Sequence, residues 1–250
     1  MSGQSTTNNQ IFDGYPLRPA AHAATLGPTV ILIPHPDDEA LGCGGLLALL
    51  RQAGQPVAAA LVSDGTMSHP HSRDFPPPAR RELRYAELRH ALAVLNVDES
   101  AVLYLGLPDG RVPSEGADFE AATEQLAEFL TQHRAQTLLV PWRRDPHPDH
   151  RASAALAAAA LARLPAPAPR RLEYVVWAWE RAAPEDLLQS GEGIGFRLDI
   201  RAVLTQKQRA IAAHRSQLAP GTITDDLSGF LLSEHMLAHF AQPFEVFIES

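Results

Sequence analysis

A chain of 250 residues, 45% hydrophobic and 20% charged, is long enough to bury a full core, and no break in composition marks a second domain. A formal charge of −8 and a pI near 5.7 argue against nucleic acid or an anionic membrane surface as the main partner, and no charge-free apolar stretch approaches the roughly 20 residues needed to span a bilayer. Cys43 is the only cysteine, which rules out an intrachain disulfide and suits a reducing cytoplasm, the expected location.

In chain order, residues 1–25 read as a poorly ordered lead-in, because Met1 to Gln10 is polar and has neither a cationic start nor an apolar h-region. Val30-Ile31-Leu32-Ile33 is a continuous β-branched run, the pattern of a strand buried on both faces, and an apolar-periodic helix with a glycine-rich start follows it. In that start, Gly42, Gly44 and Gly45 let the helix approach the sheet closely. Val57 to Val62 is a second strand, ended by the turn residues Ser63-Asp64-Gly65. A long irregular loop over 66–78 leads to a helix from about Ala79 to Leu95. Ala101 to Leu105 reads as a third strand, Asp118 to His133 as a helix, Thr137 to Val140 as a fourth strand and Ser153 to Leu164 as an alanine-rich helix. The stiff connector Pro165 to Pro169 precedes a strand near Leu172 to Trp179, a loop over 180–195, a short strand near Phe196 to Ile200 and a helix from about Ala202 to Arg215. A helix near Leu231 to Phe240 and a strand from Phe244 to Ile248 close the chain.

This βαβα series predicts a Rossmann-like three-layer α/β/α sandwich with a mostly parallel sheet of order 3-2-1-4-5 plus C-terminal additions. Two stretches rich in imidazole and carboxylate follow strands in it: Pro34-His35-Pro36-Asp37-Asp38-Glu39 after the first, and His147-Pro148-Asp149-His150 after the fourth. Strands one and four are neighbours in that order, and the loops leaving them diverge to form the crevice at the topological switch point. The two stretches are thus expected to face each other although more than a hundred residues separate them. Two histidines and a carboxylate leave a zinc ion one open position for water, and a spare carboxylate is then available as a base. The same donor set suits Fe(II).

These residues resemble the PIG-L/LmbE-like zinc N-deacetylases, whose hallmarks are (A/P)HPDDE after the first strand and HxDH after the fourth. The resemblance extends to Arg84-x-x-Glu87-x-x-x-Ala91 and to Leu105-Gly106-Leu107-Pro108-Asp109-Gly110. It implies a single deacetylase domain over 1–250, with zinc or another divalent metal such as Fe(II) as cofactor and His35, Asp38 and His150 as its ligands. It further implies Asp37 as general base and His147 as oxyanion stabiliser or acid, oriented by Asp149. Arg84, Asp109 and His214 match positions at or near the substrate in relatives. Where the family has Leu-Gly after its second helix this chain has Leu95-Asn96, and Asn also tolerates a left-handed helix cap. The implied partner is a small amino-sugar molecule, and homo-oligomers occur among relatives.

Ordinary structural roles compete with each of these assignments. Adjacent acidic residues before a helix commonly act as N-caps, and His147 to His150 in isolation reads as a solvated loop; only their joint placement turns them toward metal chemistry. His69 and His71 read as an exposed loop pair, and His22, His90, His133, His235 and His239 as surface or helix-face residues. Trp177 and Trp179, two apart on a strand, share one face, as core packing or as a platform for a sugar ring. Three functions remain open: an N-deacetylase of an N-acetylglucosamine conjugate, a metal-dependent amidase of another conjugate such as a thiol conjugate, and a catalytically silent sugar-binding protein.

Overall fold

A computed structural model describes residues 12–249. Its strands are β1 (Leu17–Arg18), β2 (Thr29–Ile33), β3 (Val57–Ser63), β4 (Val102–Leu107), β5 (Thr137–Pro141), β6 (Arg170–Tyr174), β7 (Ile194–Asp199) and β8 (Phe244–Glu249). The helices are α1 (Asp38–Gln52), α2 (Pro77–Val94), α3 (Ala117–Gln132), α4 (Pro148–Ala162), α5 (Ala178–Arg181), α6 (Leu204–Ile211) and α7 (Glu234–Phe240).

All eight strands join one sheet of order β1-β7-β8-β6-β5-β2-β3-β4. Its parallel half, β4-β3-β2-β5-β6, is the expected 3-2-1-4-5 arrangement. The additions extend the β6 edge, where β8 runs antiparallel to both β6 and β7 and β1 lies parallel to β7. Because side chains alternate along a strand, the unbroken apolar runs feed two cores at once. Ile31 and Ile33 of β2 pack with α1 and α2, whereas Val30 and Leu32 pack with α3 and α4. The central strands β2 and β5 are adjacent, with Val30 opposite Leu138, and their following helices cover opposite faces. The crevice between those helix starts is the switch point.

A buried ion pair fixes α1 on the sheet. Lys207 Nζ of α6 lies 2.7 Å from Glu245 Oε1 of β8 and donates to the Leu41 carbonyl at 2.8 Å. The Glu245 carboxylate also accepts the N–H groups of Gly45 and Leu46 at 2.7 and 2.8 Å. Such full pairing is what makes two buried charges tolerable. A Cβ built on Gly42 would meet Tyr174 Cδ2 at 2.4 Å, and one on Gly45 would meet Ile200 Cγ2 at 2.6 Å, so the glycines mark close contacts.

Several expectations are corrected. Residues 1–11 lie outside the described residues, but the rest of the expected lead-in is ordered: Phe12 is buried edge-on to Trp179 with ring centroids 4.8 Å apart, and Leu17–Arg18 pairs with β7. The strand expected to reach Trp179 ends at Tyr174, because the Trp177 N–H is drawn to Asp145 Oδ2 at 3.0 Å and the chain turns into α5. Trp177 and Trp179 therefore do not share a strand face; Trp179 is core and Trp177 borders the crevice. Helix α4 begins at Pro148, five residues before the expected Ser153, because proline suits the first helical position and His147 caps it by accepting the Asp149 N–H at 3.2 Å. The helix expected over Ala202 to Arg215 is regular only over Leu204–Ile211, with 3₁₀ turns at Arg201–Val203 and Arg215–Gln217. The helix near Leu231 starts at Glu234, capped by the Ser233 hydroxyl. Asn96 adopts the left-handed conformation at φ +61°.

Helix propensity alone predicts that Gly45→Ala stabilises the protein by about 1 kcal/mol. The contact with Ile200 instead makes this substitution destabilising by about 1–3 kcal/mol, a difference in sign that urea unfolding reads directly.

Candidate active site

The chain leaves β2 through Pro34, His35 and Pro36, and α1 starts at Asp38. Between them Asp37 is held at φ +140° and ψ −26°, a conformation unfavourable for any residue with a Cβ. Its N–H donates to Glu39 Oε2 at 3.1 Å, and Glu39 Oε1 lies 2.7 Å from His214 Nε2, both side chains being buried. The Glu39–His214 pair thus anchors the strained residue from behind. His214, expected at the substrate, does not line the crevice; Gln217, three residues later, does.

The expected metal ligands meet at one atom. Asp38 Oδ2 lies 3.4 Å from His35 Nδ1 and 3.2 Å from His150 Nε2. The far nitrogen of each imidazole faces another carboxylate: His35 Nε2 lies 3.0 Å from Asp149 Oδ2 and 3.3 Å from Asp109 Oδ1, and His150 Nδ1 lies 3.4 Å from Asp145 Oδ1. Aspartates behind imidazoles are the usual outer partners of metal-binding histidines, fixing tautomer and ring orientation. Fully buried His150 makes no hydrogen bond through either nitrogen, so its contacts with Asp38 and Asp145 are electrostatic only. Two imidazole nitrogens gathered within 3.4 Å of one carboxylate oxygen, Asp38 Oδ2, suit a divalent cation of the zinc type. The donor atoms of His35, His147 and His150, and those of His35, Asp109 and Asp149, also lie within 4.8 Å of one another.

Charge is concentrated here. Burial pushes the Asp38 carboxyl up, but the charge and close approach of the His150 and His35 imidazoles reverse this and hold it well below the usual carboxylate range. Burial likewise depresses His150, and Asp38 and Asp145 overcome it, lifting the ring to about 9. Asp37 has no such cationic neighbour at hydrogen-bonding distance except Arg84, whose Nη2 is 3.2 Å from its Oδ2; burial raises Asp37 to about 7 against that attraction. For His147, burial and the charges of His35 and His150 act together and lower it to about 4. Since His147 Nδ1 accepts the Asp149 N–H, its neutral ring carries the proton on Nε2.

The other expected contacts are partly redistributed. Asp149, expected to orient His147, donates its N–H to His147 Nδ1 at 3.2 Å, while its carboxylate faces His35 and accepts the N–H groups of Gly110 and Val112 at 2.7 and 3.1 Å. Arg84, expected at the sugar hydroxyls, lines the crevice and is also engaged with the Pro36 carbonyl and the Asp37 carboxylate. Asp109 borders the crevice and accepts the Met67 N–H at 2.7 Å. Asp145 was missed. Besides facing His150, it accepts the N–H groups of His147 and Trp177 at 3.0 Å each, and its only signal was its place two residues before the motif.

The crevice, about 220 Å³, has the His35, Asp37 and His147 side chains on its floor and Met67, Val176, Trp177, Phe230 and Leu232 on its walls. Trp177 stands 6.2 Å from His147 and 5.7 Å from Phe230, ring to ring. The loop over 66–78 is tied down by two acidic residues without motif character. Asp225 accepts from the Ser72 hydroxyl and from the N–H groups of Arg73 and Asp74, and Asp226 accepts from His71. His69, expected to be exposed, is buried against Gly229.

The family profile described as PIG-L, GlcNAc-PI de-N-acetylase, matches residues 30–161, a span that contains both histidine- and aspartate-rich stretches. The probable N-acetyl-alpha-D-glucosaminyl L-malate deacetylase 2 of Bacillus subtilis (strain 168) is 30% identical over 196 residues, covering 75% of this chain and 82% of that protein. Among solved structures, the N,N'-diacetylchitobiose deacetylase of Pyrococcus horikoshii superposes with a TM-score of 0.61 at 20% identity, covering 85% of this chain and 74% of that one. The 4-carboxy-2-hydroxymuconate hydratase of Pseudomonas putida KT2440 superposes with a TM-score of 0.65 at 17% identity, covering 86% and 82%. A fold shared by a deacetylase and a hydratase does not set the reaction, which has to be argued from the site. By the profile match across more than half of its length and by its Bacillus relative, the chain belongs to the PIG-L family of GlcNAc-PI de-N-acetylases.

Proposed function

We propose that this chain is a metal-dependent N-deacetylase of a small N-acetylglucosamine-containing molecule, working as one catalytic domain, with zinc held by His35, Asp38 and His150. The convergence of two imidazoles on one Asp38 oxygen, each backed by an aspartate, carries the reading. When bound there, zinc supplies a Lewis acid and acidified water for attack on an amide carbonyl. Family membership and the deacetylase relative support the acetamide of an amino sugar as the target.

The chain's own residues divide the proton work. Asp37 accepts a proton from the attacking water, and Arg84 together with the Glu39–His214 anchor keeps its carboxylate aimed into the crevice. His147 presents Nε2–H to the carbonyl oxygen as negative charge develops on it, an interaction worth roughly 3–4 kcal/mol where single donors have been removed from such sites. As the C–N bond breaks, the proton held by Asp37 passes to the departing amine, leaving acetate and a free amino sugar. Trp177 offers its ring face to the sugar, and Asp109 its carboxylate to a hydroxyl. The apolar walls exclude water from the reacting carbonyl and strengthen these electrostatic contacts.

Acetate release from a panel of N-acetylglucosaminyl conjugates tests this reading. Zinc-restored release by wild type, absent from Asp37→Asn at unchanged zinc content, is the expected result; zinc binding with no acetate from any conjugate would contradict it. His147→Ala is expected to lower kcat by about 10²–10³. Asp145→Asn, which weakens the support of His150 without touching the crevice, is expected to lower zinc affinity by about 10–100-fold in a chelator competition.

A further inference from the structure

We propose that Glu180, His235 and His239 form a second divalent-metal site, of the zinc type, outside the catalytic crevice. His235 and His239 are one turn apart on α7 and so lie on the same face of that helix, and Glu180 reaches them from α5. Glu180 Oε1 is 2.8 Å from His235 Nδ1 and 3.9 Å from His239 Nε2, and the three donor atoms all lie within 4.8 Å of one another. Two imidazoles four residues apart on a helix with one carboxylate from a neighbouring segment match the borderline chemistry of zinc, with a position left for water.

The second observation is His239 itself. Its side chain is 3% exposed, yet neither ring nitrogen makes a hydrogen bond. A polar ring buried without a partner costs free energy, which a metal bond at Nε2 would offset. Trp179 stacks on the ring with centroids 5.3 Å apart and planes 17° apart, fixing its orientation, while His235 on the solvent side leaves an open approach.

The position gives such a metal a mechanical role. Helix α5 directly follows Val176 and Trp177, and α7 directly follows the segment containing Phe230 and Leu232; all four residues wall the crevice. A cation shared by Glu180, His235 and His239 ties these two segments together and braces the apolar wall, without touching the floor formed by His35, Asp37 and His147.

Tag-free full-length protein, stripped with chelator and dialysed against micromolar zinc, tests the proposal by metal analysis. His235→Ala, at an exposed position, is expected to bind one zinc per chain fewer than wild type, and His239→Gln the same. The difference is read between variants, so it holds whether or not the crevice itself takes zinc: two against one if it does, one against none if it does not. Added zinc is also expected to raise the Tm of Asp38→Ala, and to leave the Tm of Asp38→Ala/His235→Ala unchanged. Equal zinc content in wild type and His235→Ala would overturn the proposal and leave Glu180–His235 as a surface ion pair beside a packed histidine.

Discussion

One carboxylate oxygen, Asp38 Oδ2, sets the terms for the rest of the site. It lies within 3.4 Å of a nitrogen on each of two imidazoles that come from opposite sides of the switch point, one following β2 and the other in the first turn of α4. Charges this deeply buried are stable only when every one is partnered, and the surrounding residues supply those partners. Asp149 and Asp109 stand behind His35, and Asp145 behind His150. Removing Asp145 leaves His150 with Asp38 alone.

That demand explains an otherwise costly backbone. With Asp38 as the first residue of α1 and His35 two residues past the end of β2, only Pro36 and Asp37 separate the two, and Asp37 takes the strain at φ +140°. Strain of this kind persists only where the surroundings over-determine it. Here they do so through the Glu39 carboxylate on the Asp37 N–H, with His214 behind it, and through Arg84 on the side chain. Further along, Lys207 and Glu245 grip α1 at Leu41, Gly45 and Leu46, fixing the helix whose start carries Asp38. The reacting groups are thus held by rigid elements, while Met67, Trp177 and Phe230 come from loops, a division under which the substrate can vary while the chemistry stays fixed.

The parallel half of the sheet and the two stretches that line the crevice were legible in the sequence because both rest on local patterns: β-branched runs, helix periodicity and histidine–aspartate clusters just after strands. Asn96 was legible for the same reason, as one residue in one helix cap. What escaped depends on residues distant in sequence. Asp145 acquires its importance only when β5 and β6 bring it between His150 and Trp177, and Asp225 and Asp226 look like ordinary loop carboxylates until they grip residues 71–74. His214 lies in a recognisable segment, but whether it faces substrate or Glu39 is set by packing across 175 residues. The helical turn at Trp177 was missed because Val175 and Val176 continue the apolar run past the point where Asp145 pulls the chain from the sheet.

The most direct test of this account is an anomalous-scattering crystallographic measurement at the zinc absorption edge on zinc-loaded protein. A peak bonded to His35 Nδ1, Asp38 and His150 Nε2, with Asp37 beside it and unbonded, is the predicted result. A crevice peak bonded instead to Asp109 and Asp149 through the other face of His35, or to His147, would contradict the division of ligand, base and proton donor set out above.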